Sequence, residues 1–186
     1  MKRFFLPLIA IIVFNFSGSA QSIYRGLVYG MNVKDAKTEF KTNKDQYDNV
    51  DFGNGFAWRV YTQNLIYQND SLVAILMTPK GAALGLSHDA ATSYLEFSRA
   101  FFENKGYKLF FEPEYWQYPL NFHAKYGLLL SNSDKTIMVQ LYPLSYKSGY
   151  TTMFTSCLKI MNYKWFMSTY EAGHKLLEKK SDESGF

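Results

Sequence analysis

Three residues, Gly53-Asn54-Gly55, separate the runs Val50-Asp51-Phe52 and Phe56-Ala57-Trp58-Arg59-Val60. They limit the fold more tightly than anything else in the chain. Glycine and asparagine tolerate the left-handed backbone that a tight reversal needs. A two-residue turn at Asn54-Gly55 would pair Phe52 with Ala57 and set Trp58 opposite Asp51. A three-residue loop instead pairs Phe52 with Phe56 and Val50 with Trp58, which keeps the large apolar groups on one face. The second register is expected, with Gly55 in the left-handed position. A second hairpin follows directly, residues 65–68 and 71–77, closed by Asn69-Asp70.

Helix signals bracket this meander. Asn32 is placed to cap a short amphipathic helix over 33–41, with Val33, Ala36 and Phe40 on one face. Ser87 is placed to cap a longer one over 88–105, stopped by Gly106. Its core stripe is Ala91, Tyr94, Leu95, Ser98, Phe101 and Phe102. Strands are expected over 107–111, 126–130 and 136–142, with 131–135 as a hairpin loop, and over 151–160 around Cys157. Asn162 would cap a closing helix over 163–179, with Phe166, Tyr170 and Leu177 on one side.

Meanders without βαβ alternation specify an α+β fold with a mainly antiparallel sheet. The expectation is about seven or eight strands packed by three helices, with a weak two-unit helix-then-meander repeat. Gly30-Met31, the capped helix and the meander together resemble small helix-plus-meander modules of bacterial envelope proteins. No function follows from that likeness.

Residues 1–20 read as an address. Lys2-Arg3 is a positive head, 4–16 is apolar, and Gly18 and Ala20 are small residues where a signal peptidase needs them. The apolar run is shorter than the roughly 20 residues of a membrane-spanning helix. The expected organisation is a cleaved secretory signal over 1–20, a single α+β domain over 21–179 and a frayed tail over 180–186. The expected location is periplasmic or extracellular, with no stable membrane anchor after cleavage. Loss of Lys2 and Arg3 halves the formal charge of +4. The lysines at 34, 37, 41 and 44 are interleaved with Asp35, Glu39 and Asp45, so they read as a solvated helix face. No nucleic-acid partner is expected. One cysteine excludes an intramolecular disulfide framework and any multi-cysteine zinc site. Buried, Cys157 would behave as a small hydrophobe.

The 107–126 stretch carries the strongest binding signal. It holds eight aromatic residues interleaved with Glu112, Glu114, Gln117, Asn121, His123 and Lys125. Flat aromatic faces stack on sugars and dominate protein-binding hot spots. Pro113 and Pro119 argue against a regular central strand, so an edge strand or a long loop is expected. Trp116 and Tyr118 are the candidate anchors, with Tyr115, Glu114 and His123 beside them. The competing reading is that these rings seal the end of the sheet.

Catalytic patterns are weak. Glu112 and Glu114 share a spacing that mostly marks a solvent face. Asp45, Asp48 and Asp51 lack the alternation of a calcium loop. His88, His123 and His174 show no ligand spacing. Ser87-His88-Asp89 is contiguous, whereas triads assemble from distant segments. The glycine-rich 81–87 connection lacks a phosphate-loop lysine. No catalytic residue, metal or cofactor is therefore assigned. The chain reads as an exported, non-catalytic binding or interaction module. Its partner would be a glycan, a cell-wall fragment or an envelope protein. The alternative is an exported hydrolase assembled from scattered residues such as His123, Glu112 and Glu114. Amino-terminal sequencing of the exported protein is expected to begin at Gln21; an intact Met1 would contradict the address reading.

Overall fold

The computed structural model describes residues 21–53, 55–82, 84–113 and 127–172. A two-stranded ribbon comes first, β1 (Ser22–Tyr24) with β2 (Leu27–Val28). Then follow α1 (Val33–Thr42), α2 (Lys44–Asp48), β3 (Val50–Asp51), β4 (Ala57–Gln68) and β5 (Ser71–Pro79). The second half runs α3 (His88–Asn104), β6 (Lys108–Phe111), β7 (Leu128–Ser131), β8 (Ile137–Ser148) and β9 (Thr151–Asn162). Residues 163–172 form the last described helix, α4. The main sheet has seven strands in the order β3-β4-β5-β9-β8-β7-β6, and every neighbouring pair is antiparallel. Helix followed by antiparallel strands thus occurs twice, and the last strands of the two runs, β5 and β9, meet at the centre.

Local chemistry explains the boundaries. The Asn32 side chain accepts from the Asp35 amide, and the Ser87 hydroxyl accepts from the Ala90 amide. Such caps satisfy amides that the first helical turn leaves without partners, each worth about 1 kcal/mol. The Asn162 side chain accepts from the Trp165 amide at 2.9 Å and opens α4 in the same way. Gly106 closes α3 at φ +84°. The Val50–Trp58 register is the expected one, with Gly55 at φ +78°. Asn69 and Asp70 both take positive φ and join Gln68 to Ser71. At the 131–137 hairpin, the Asn132 side chain accepts from the amides of Thr136 and Ile137, each at 2.9 Å.

The α3 stripe is buried much as its spacing indicates: Ala91, Leu95, Ser98 and Phe102 are buried, with Tyr94 and Phe101 packed against the core. Trp58 is fully buried, edge-on to Tyr94 with ring centroids 5.2 Å apart. Ile75, Met77, Val139, Leu141, Leu158 and Ile160 belong to the same cluster. This is the helix-covered face of the sheet. Strand residues between these point to the second face, because successive side chains alternate. There Ala74, Leu129, Met138 and Met161 form a smaller cluster beneath Tyr163, Trp165 and Phe166 of α4.

Several features lie beyond the sequence reading. The β1–β2 ribbon and α2 are too short to leave a periodic signal. Strand β8 continues through Pro143 to Ser148, where a stop at 142 was expected. Pro143 is tolerated because β7 pairs with β8 only as far as Leu141; beyond it, no described strand lies on that side.

Gly127, which leads into β7, has room for no side chain. An added Cβ would collide with the Leu141 carbonyl and lie 2.6 Å from Tyr142 Cβ. Gly127→Ala should therefore cost about 1–3 kcal/mol by overpacking. The midpoint should then fall by roughly 2–4 °C for each kcal/mol. An unchanged midpoint would contradict this packing.

Candidate functional site

Among the described residues, only α4 roofs the second sheet face, and only in part. Helix α4 covers the end marked by Ala74, Met138 and Met161. Further along, the same face carries Arg59 and Tyr61 of β4, Leu76 and Thr78 of β5, Cys157 and Lys159 of β9, and Gln140 and Tyr142 of β8. Strand alternation and register fix this set. Lys159 pairs with Leu76 on one side and Gln140 on the other, and Cys157 pairs with Tyr142. Arg59 pairs with Thr78. Tyr61 is exposed; Arg59, Leu76, Thr78, Gln140, Tyr142 and Lys159 are half-buried, and Cys157 is buried.

The two cations on this face differ. Arg59 is neutralised: its Nε lies 2.8 Å from Asp48 Oδ1, and its Nη1 donates to the Tyr61 hydroxyl at 3.0 Å. Lys159 has no carboxylate among the described residues. Its ammonium lies 5.3 Å from the centroid of the Trp165 ring. That ring is held in turn, since the Trp165 indole N–H donates to Gln68 Oε1 at 2.5 Å. Burial pushes the Lys159 pKa below its ordinary value. A lysine with a depressed folded pKa weakens the fold when it is charged. The associated stability is therefore complete above the ordinary lysine pKa and is lost as pH falls through the folded value.

Cys157 is a chemical contrast. Burial pushes its thiol up to about 11, partly opposed by a hydrogen bond with Tyr142. A thiol held neutral is a poor nucleophile, so the side chain acts as packing.

Residues singled out from the sequence fall into three groups. Glu114, Tyr115, Trp116, Tyr118, His123 and His174 lie outside the described residues. Of the stretch that begins at 107, Tyr107 packs edge-on to Phe102, whereas β6 is an edge strand whose residues are all exposed. Phe110 meets Tyr163 and Phe166 of α4 edge-on. The described aromatics of this stretch, Tyr107, Phe110 and Phe111, therefore divide between core and surface. Glu112 is tied to Arg99, with Nη1 donating to Oε1 at 2.6 Å, and Arg99 also bonds Glu103 at 2.9 Å. Asp48 serves Arg59, while Asp51 accepts from the Gly53 amide at 2.7 Å. Ser87 is occupied as a helix cap, and His88 stands edge-on to Phe154.

The Lys159–Trp165 pair escaped sequence reasoning because Trp165 looked like one more helix residue. The available signal was a lysine inside the apolar run Cys157-Leu158-Lys159-Ile160-Met161 of β9. Exposed apolar groups also gather at the far end of the β8–β9 hairpin, where Leu144 and Tyr146 are exposed and Tyr150 is fully so.

Among the described residues, no helix is long and apolar enough to cross a membrane. No family model, curated protein or solved structure matches the chain.

The thiol makes a pH prediction. Its folded pKa lies above the ordinary 9.0, so its contribution is complete below pH 9.0 and is lost as pH rises through about 11. The midpoint advantage of the wild type over Cys157→Ala should shrink across that window. A constant difference from pH 7 to pH 11 would show that the thiol is not desolvated.

Proposed function

We propose that the protein is a non-catalytic binding module whose ligand sits on the open part of the second sheet face. The observation that supports this most is the half-buried surface beyond α4, where Lys159 lies against the Trp165 ring with no carboxylate among the described residues. A sheet face made only for stability would bury apolar groups there, because an unpaired, partly desolvated ammonium costs free energy. Aromatic, amide and hydroxyl groups lie on one surface here: Trp165, Gln140, Tyr61 and Thr78. That mixture suits a glycan or a cell-wall fragment, which offers both apolar ring faces and hydroxyls. The role as an exported module rests on the leader read in residues 1–20.

The test is amide chemical-shift mapping of the chain beginning at Gln21, titrated with neutral and acidic oligosaccharides and with soluble cell-wall fragments. Shifts should concentrate at Tyr61, Leu76, Gln140 and Lys159. Shifts confined to α1 and α3, or none with any of the probes, would defeat the proposal.

A further inference from the structure

We infer that the ligand of this face is a carboxylate-bearing sugar of the uronic-acid type, with its carboxylate seated on Lys159. This rests on the binding reading above and deepens it.

The residues paired with Lys159 on the two neighbouring strands, Leu76 and Gln140, carry no charge. From α4 Lys159 meets Trp165, which offers a ring. Among the described residues, the other titratable strand residues on this part of the face are Arg59, Tyr61, Tyr142 and Cys157. Arg59 already has Asp48. Tyr142 and Cys157 bond each other, and both are held neutral by burial. None of these supplies a negative charge to Lys159. Burial penalises the ammonium, and a cation–ring contact compensates it only in part. An anion arriving from outside would complete the pairing, and a charge-assisted bond in a partly desolvated setting is among the stronger polar contacts.

The surroundings narrow the anion. A phosphate or sulfate would favour several converging donors or a planar guanidinium fork. Here one ammonium stands between an apolar side chain and an amide, and the neighbouring guanidinium is already paired. One carboxylate matches one ammonium. Next to it, the Gln140 amide can both donate to and accept from hydroxyls. The exposed Tyr61, whose hydroxyl already accepts from Arg59, adds an aromatic flank. A six-membered acidic sugar offers a carboxylate, vicinal hydroxyls and an apolar ring face within one residue. An acidic peptide offers the carboxylate without the hydroxyls.

The experiment compares tri-galacturonate, its fully methyl-esterified form and the peptide Ala-Ala-Glu, by calorimetry on the chain beginning at Gln21. Tri-galacturonate should bind, and esterification should weaken it about tenfold or more through loss of the charge-assisted bond. Lys159→Met should bring the acid down to the affinity of the ester and leave the ester unchanged, whereas Lys159→Arg should keep most of the preference. The ester comparison reads the same contact in unaltered protein, so it stands even where a variant folds poorly. Equal affinity for acid and ester, or a preference for the peptide, would overturn the inference. Binding of acid and ester alike, with shifts on this face, would overturn the carboxylate assignment alone and leave the binding reading standing. Failure of every probe to bind, with no shifts from neutral oligosaccharides, would overturn both.

Discussion

The pairing of β5 with β9, Ala74 with Met161 through Met77 with Leu158, is the constraint on which the rest of the structure depends. These strands come from opposite halves of the chain, yet they lie at the centre of the sheet. Each is buried on both faces along the paired stretch, apart from Leu76 and Lys159, which remain half-buried. Ile75, Met77, Leu158 and Ile160 line the helix-covered side; Ala74 and Met161 line the other. A slip of one residue would exchange the two sets and put Lys159 into the helix-side core, so the register is strongly specified. Once the seam is fixed, the order of the remaining strands follows. Hairpins lead outward from the seam through β4 to β3 on one side and through β8 to β7 on the other, where β6 pairs with β7 at the edge.

That seam also sets the location of the candidate site. Helices α1 to α3 supply one cover, and α4 supplies part of the second. Among the described residues α4 is the roof of the second face, and the strands continue beyond Trp165 with side chains of mixed character. Lys159 therefore stands where a core side chain would stand if the cover were complete. The local conflict between the apolar run Cys157–Met161 and its lysine is what the proposed binding role rests on, since natural sequences are otherwise consistent from level to level.

Much of the scaffold was legible because its signals are local. Asn32, Ser87 and Asn162 announce helix starts through one side-chain oxygen each, and Asn69-Asp70 and Gly55 announce reversals through backbone tolerance. The Val50–Trp58 register could be derived because only one loop length keeps the large groups together. What depended on distant segments was not legible. Nothing near Lys159 in sequence says that it faces Leu76, Gln140 and Trp165, since those neighbours come from three other elements. The length of β8 was hidden by Pro143, whose acceptability depends on how far β7 extends. The anchors favoured on aromatic content, Trp116 and Tyr118, lie outside the described residues, and the described part of that segment divides between core packing at Tyr107 and the exposed edge strand β6.

Lys159 is a partly desolvated cation lying on the Trp165 ring with no counter-charge among the described residues. Its side-chain pKa, followed by nitrogen NMR and assigned through the signal lost in Lys159→Arg, tests this most directly. The account predicts titration below the ordinary lysine value of 10.5, moving upward when an acidic ligand binds. Titration at or above that value in the free protein would mean that a carboxylate already pairs with Lys159, and the open face would lose its reason for recruiting one.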